Sequence, residues 1–181
     1  QSLYDKSLDA YNQAASYYKK AGDLKTAASM KVDVGIVMFR QGKYRESNEL
    51  LFKTIEFYQS DSDYNNIGLC YSQIGQNYWN LNLYDSAIAS HNKAIGLRQQ
   101  AGNRSGEAFS WEQLGTLYQK AGLKTKALEA LDTAARLYEA LGSKTEFAEV
   151  LLEAGKVYKN DKENDRAEQY YKRASNALAA M

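Results

Sequence analysis

The chain has 181 residues, a formal net charge of +1, 44% apolar and 25% charged side chains. That balance is ordinary for a folded protein. The near-neutral charge argues against a general nucleic-acid or membrane-surface binder, and no apolar run approaches the roughly 18 residues of a membrane span. The one cysteine, Cys70, excludes an internal disulfide and a multi-cysteine metal site; among apolar neighbours on a predicted helix, it reads as a packed thiol. Proline is absent, so helix ends must be marked by glycine and polar clusters.

In chain order, a helix is predicted over 2–21, closed at Ala21-Gly22-Asp23. The next covers 24–41 and stops at Gly42, a residue suited to the left-handed conformation of a helix end. A helix over 44–60 ends in the cluster Ser60-Asp61-Ser62-Asp63. Helices over 64–81 and 84–100 turn at Asn82 and end before Ala101-Gly102-Asn103; those over 106–121 and 124–141 turn at Gly122 and end before Gly142-Ser143. The last pair, 145–160 and 163–179, turns at Asp161-Lys162. Gly42, Asn82, Gly122 and Lys162 are forty apart, and lysine in place of glycine or asparagine predicts a looser last turn.

The forty-residue spacing is an internal repeat. Trp111, Leu114, Gly115 and Tyr118 are spaced W-x2-L-G-x2-Y, and Ala127, Leu131 and Ala134 follow as A-x3-L-x2-A. Glycine recurs at 35, 75, 115 and 155, and tyrosine at 78, 118 and 158. Small residues recur as Ser7, Ser47, Ala87, Ala127 and Ala167, and as Ala14, Thr54, Ala94, Ala134 and Ala174. In a helical hairpin such positions fall where two backbones come closest, and a larger side chain would hold the helices apart. The aromatic and aliphatic positions recur at i, i+3, i+4 and i+7, giving each helix one apolar stripe that needs a stacked neighbour to cover it.

These types at these spacings resemble the tetratricopeptide (TPR) repeat. The resemblance implies an all-α, right-handed solenoid over 1–181: a half repeat at 2–21, then hairpins at 24–60, 64–100, 106–141 and 145–179. Forty residues exceeds the common unit by six. The inter-repeat segments AGDLKTAA, AGNRSGEA and LGSKTEFA look like the longer repeats of Pins-type polarity adaptors and of bacterial sensor kinases and transcriptional regulators. Gln1 opens the chain without an initiator Met, and Tyr4, Ser7, Tyr11 and Ala14 already align with the second helix of a repeat. A segment of a larger signalling protein is therefore expected.

The family implies that the first helix of each hairpin lines a concave groove holding a protein or peptide. Counting from the tryptophan register, its inward residues are Val32, Ile36, Phe39; Ser72, Gln76, Trp79; Glu112, Thr116, Gln119; and Leu152, Lys156, Lys159. Beside them lie Asp33, Gln73, Gln113 and Glu153, then Arg40, Asn80, Lys120 and Asn160. The groove would grade from apolar through amide-rich to basic. Gln73, Gln76, Asn80, Gln113 and Gln119, with Thr116, suit the unpaired backbone of an extended peptide. Trp79 is a candidate anchor, and Lys120, Lys156 and Lys159 could meet carboxylates. The alternatives are a merely solvated face for the glutamines, a packed ring for Trp79, and a preceding helix over Ile36 and Phe39. The clamp that grips chaperone tails needs Lys then Asn four further on; Val32/Ile36, Ser72/Gln76, Glu112/Thr116 and Leu152/Lys156 do not match it.

No enzyme is expected. His91, the only histidine, holds the core register of Leu51, Leu131 and Tyr171. Carboxylates such as Glu146, Glu149, Asp161 and Glu163 lie in charged runs without a partner constellation, and no phosphate loop, nucleophile elbow or metal-ligand spacing occurs. Asn103-Arg104-Ser105 fits a glycosylation acceptor, a short and weakly specific motif. Neither cofactor nor metal is expected, nor nucleic acid, nor direct membrane insertion. The alternative function is a structural module that forms homo-oligomers through exposed repeat ends. The compartment is open, with the cytoplasm preferred.

Overall fold

The computed structural model describes residues 3–179. Nine helices and no strands occur among them: α1 Leu3–Lys20, α2 Leu24–Arg40, α3 Tyr44–Ser60, α4 Tyr64–Asn80, α5 Tyr84–Gln100, α6 Arg104–Lys120, α7 Lys124–Leu141, α8 Lys144–Asn160 and α9 Asn164–Ala179. The chain forms two compact units, residues 1–97 and 98–181. Ser2, where the sequence pattern starts the first helix, lies outside the described residues. α6 starts at Arg104, two residues before the expected 106, because the Asn103 side chain accepts from the Gly106 N–H and caps the helix there.

Every helix–helix turn among the described residues is built alike. Residues 22, 42, 62, 82, 102, 122, 142 and 162 all have positive φ, one every twenty residues. After each, a backbone N–H reaches five residues back, from Asp23 to Tyr18, Lys43 to Met38, and so on to Glu163 and Tyr158, at 2.9–3.0 Å. This is the Schellman closure, which satisfies carbonyls that the helix end would otherwise orphan. Ser62, Asn82 and Lys162 take the left-handed conformation without being glycine, at φ 52°, 60° and 63°; each such placement costs roughly 1–2 kcal/mol. The last turn is therefore not looser: Lys162 keeps the same closure.

Asp23, Asp63 and Asn103 stand forty apart as N-caps, accepting from Thr26, Asn66 and Gly106. Within each hairpin the repeat glycine marks the close approach. A Cβ on Gly75 would lie 2.7 Å from the His91 ring, on Gly115 2.7 Å from Leu131, and on Gly155 2.4 Å from Tyr171. Gly35 is closest to Leu51, at 3.1 Å.

In the first unit Leu51, Ile55, Tyr58, Ile67 and Ile74 form the core, with Tyr71 and Tyr78 packed against it. In the second, Leu131, Ala134, Tyr138, Val150 and Ala154 do so, with Trp111 and Tyr118. Each fully buried leucine or isoleucine contributes roughly 1.5–3 kcal/mol of burial. α2 touches α4, and α6 touches α8, so within each unit the first helices of successive hairpins form one layer.

Candidate functional site

In each unit the first-helix layer presents one stripe per helix, at i, i+4, i+7 and i+11, exposed at both ends. In the first unit the stripes are Ser29-Asp33-Ile36-Arg40 and Leu69-Gln73-Gln76-Asn80; in the second they are Phe109-Gln113-Thr116-Lys120 and Glu149-Glu153-Lys156-Asn160. Leu69 and Phe109 hold the same register, and each is 38% exposed. Neither was singled out from sequence, although a large apolar residue on the outward side of the amide stripe is a readable signal.

The structure disposes the expected residues unevenly. Gln76, Gln113, Thr116 and Gln119 are half-buried on this layer, and Asn80, Lys120 and Lys156 are exposed. Gln73 is buried and lies 3.5 Å from Asn77. Asn80 turns its amide back onto the Gln76 carbonyl at 2.8 Å. The Lys156 ammonium is held by Glu153, one turn away, at 2.5 Å. Trp79 is half-buried and packs at a tilt of 51° against Tyr84, with ring centroids 4.7 Å apart; Phe39 and Tyr44 make the same tilted pair one hairpin earlier, at 5.5 Å. This aromatic pair closes each of the two hairpins, so packing within the hairpin accounts for part of the Trp79 surface. Val32 and Ser72 are buried between repeats, not on the open face.

The second unit's layer carries more acid than the sequence order suggests. Glu112 accepts from the Tyr138 hydroxyl at 3.1 Å. Burial pushes its carboxyl above the ordinary glutamate value; the Tyr138 bond opposes this, while the carboxylates of Glu149, Glu153 and Glu146 add to it. Lys156 is paired with one of these carboxylates, Glu153.

A polar pocket joins α3 and α4. Asn77, fully buried, donates to Ser47 Oγ at 2.9 Å and Asn48 Oδ1 at 2.7 Å, and Ser47 donates to the Gly35 carbonyl at 2.8 Å. Arg98 is another buried polar group not singled out from sequence. It occupies the register of Tyr18, Tyr58 and Tyr138, and its guanidinium donates to the Gly106 carbonyl at 2.6 Å and Ser110 Oγ at 2.7 Å. A Cβ on Gly106 would come within 2.9 Å of the Arg98 stem, so glycine there makes room for it. Both are departures from the forty-residue pattern, Asn77 from Val37, Leu117 and Val157, and Arg98 from the three tyrosines.

His91 is 1% exposed and packs on Gly75, as expected of a core histidine. Cys70 is fully buried, and burial pushes its thiol up to about 12, so it is not poised as a nucleophile. Among the described residues no group of three or more His, Cys, Asp or Glu is placed to hold a metal ion, and no helix is long and apolar enough to cross a membrane.

Uniform helical hairpins, a glycine at each crossing and a forty-residue period define an all-α helical-repeat protein of the solenoid class. A profile of the tetratricopeptide repeat matches residues 70–100 and 148–177, so tetratricopeptide repeats are recognised in those two stretches of the chain. Solved structures share the fold at low identity. BtubC (BKLC) from P. vanneervenii is 15% identical with a TM-score of 0.84, over 100% of this chain and 76% of that one. MamA is 22% identical with a TM-score of 0.67, over 99% and 96%. A Rap protein complexed with Competence and Sporulation Factor is 17% identical with a TM-score of 0.74 over 98% of this chain, which spans 51% of the Rap protein.

Proposed function

We propose that this chain is a protein- or peptide-binding scaffold, serving as the interaction or sensing region of a larger signalling protein. In each unit the partner segment lies on that unit's own first-helix layer. One observation carries the reading: in each unit a large apolar side chain, Leu69 or Phe109, is offered to solvent beside glutamine amides on the same helix face. That is an apolar anchor point flanked by groups that can both donate to and accept from an extended backbone. The Rap protein bound to its factor is a complex on a similar fold, which supports the reading by likeness of fold. The residues expected to carry it are Gln73, Gln76, Trp79 and Asn80 in the first unit, and Gln113, Thr116, Gln119, Lys120 and Lys156 in the second. Gln73, Asn80 and Lys156 already have protein partners, and binding must re-pair them.

A peptide array read by fluorescence polarisation, repeated with Leu69→Ser, Phe109→Ser and Trp79→Ala, tests this. Defined peptides bound by the wild type and lost in variants that keep their melting temperature support the layer as the site. Equal binding by all four proteins refutes it.

A second reading rests on the last hairpin. Leu152 and Leu178 are 37% and 39% exposed, whereas Val32 and Ser72, and Tyr58 and Tyr138, are buried at the same registers. Such a surface could pair two copies. Sedimentation velocity across a hundredfold concentration range distinguishes the readings: a rising mass, abolished by Leu152→Lys, favours assembly.

A further inference from the structure

A cavity of about 420 Å³ opens between α1, α2 and α3, on the side of α2 where α1 and α3 flank it. Its apolar walls are Ala15, Ala27, Ala28, Leu50 and Phe57. The repeat pattern explains why it is there. At the register of Ala27 later repeats carry Ile67, Glu107 and Phe147, all larger than alanine, and at the register of Lys31 they carry Tyr71, Trp111 and Leu151. In the next groove of the same unit Ile67 is buried, and the Tyr71 ring lies 6.4 Å from Phe52 beneath the Lys93 ammonium, 4.5 Å from the ring centroid. That groove is filled by its own side chains. In the first groove alanine leaves the space unfilled, and Lys31 turns instead toward Asn12 Oδ1 at 3.2 Å.

Lys19, Lys31 and Lys53 stand around this opening, one from each helix. None of the three forms an ion pair with a carboxylate among the described residues, whereas neighbouring Lys25 is engaged by Asp63 at 2.8 Å. Three lysines around an apolar cavity whose lining includes no carboxylate raise the local concentration of anions, and the apolar floor selects among them for an apolar body. We propose that this groove binds an acidic peptide segment, which inserts one bulky apolar side chain between α1 and α3 and sets its flanking carboxylates on Lys19, Lys31 and Lys53. The volume lies within the roughly 300–1,000 Å³ range of ligand pockets. The three ion contacts make the affinity fall with salt.

The test uses the chain's own repeat. Ala27→Ile with Lys31→Tyr copies the next repeat into this groove, filling it without an apolar-to-polar change. Fluorescein-labelled dodecapeptides with a central Phe, flanked by Asp and Glu, are titrated against the wild type, this double variant, and Lys19→Glu with Lys53→Glu. Matched peptides with a central Ser, or with Lys flanks, serve as controls, as does a long-chain fatty acid. The expected result is saturable binding of the Phe/acidic peptide alone, weakened about tenfold or more in both variants and by raised salt, with methyl NMR shifts at Ala15, Ala27, Ala28 and Leu50. Leu69→Ser and Phe109→Ser must leave this binding intact, which separates it from the first-helix layer. The proposal is overturned by no binding, by equal binding to the filled groove, by shifts confined to α4, α6 and α8, or by uptake of the fatty acid without the peptide.

Discussion

Replacing Gly115 by alanine sets two effects of known size against each other. In an open helix the change favours folding by about 1 kcal/mol, because alanine loses less backbone entropy than glycine. At this site the new Cβ would lie 2.7 Å from Leu131 Cγ, 2.9 Å from its Cδ2 and 3.2 Å from the Ala127 carbonyl oxygen. Leu131 and Ala127 are fully buried, and the first atom struck is a branch point with no free end to swing away. The hairpin must therefore part, and overpacking of this kind costs about 1–3 kcal/mol, here toward the upper end because a backbone atom is also met. The net expectation is a loss of about 1–2 kcal/mol. For a chain of this size that lowers the melting temperature by about 2–8 °C.

Gly96 is the control. It lies in the interior of α5, exposed, and a Cβ added there would meet nothing within 4 Å. Gly96→Ala should gain about 0.5–1 kcal/mol and raise the melting temperature by about 1–4 °C. Circular dichroism melts and urea titrations of both variants check the pair, and an unchanged urea slope confirms that the native state is what altered. Equal shifts, or a stabilised Gly115→Ala protein, would refute the close-approach account of the repeat glycine.

Asn77→Val should cost about 1–3 kcal/mol by leaving the buried Asn48 amide without its donor. The double variant Asn48→Leu with Asn77→Val copies Leu128 and Val157, both in the second unit's core, and should recover most of the loss in a urea double-mutant cycle. Glu112→Gln tests the buried carboxyl, which faces Tyr138, Glu149, Glu153 and Glu146. Because the folded value is raised above the ordinary 4.5, the folded state holds the proton more tightly, so stability falls as pH rises through that window. The variant should melt higher than wild type at pH 7, with the gap closing toward pH 4. Cys70 should react with Ellman's reagent only as fast as the protein opens, and at once in denaturant; rapid native labelling would contradict its burial.

Much of the fold was legible in the residues because repetition multiplies weak signals. One glycine at a helix crossing is ambiguous, but Gly35, Gly75, Gly115 and Gly155 in phase with Leu51, His91, Leu131 and Tyr171 specify which helices touch and where. The turns followed from local backbone chemistry, since a left-handed residue every twenty positions is a property of the chain itself. That same locality hid the behaviour of Lys162: its side chain argues against the left-handed region, and only the closure of the hairpin, with Glu163 bonded back to Tyr158, holds it there.

The candidate site was less legible, for a physical reason. Sequence period assigns a side chain to a helix face, but not what meets it across space. Thus Gln73 is buried beside Asn77, Lys156 is matched by Glu153, and Trp79 packs at a tilt against Tyr84. The lysine-rimmed groove beside α2 is likewise a product of packing. Ala27 and Lys31 are ordinary helix residues in the sequence, and they leave a cavity only because α1 and α3 stand on either side of them at a separation set by the other residues of those helices. The sequence by itself determined the helices, their ends and their pairing, because these depend on contacts repeated every forty residues. Tertiary structure alone decided which polar groups are spent inside the protein and which remain for a partner, because that depends on neighbours brought together from different helices.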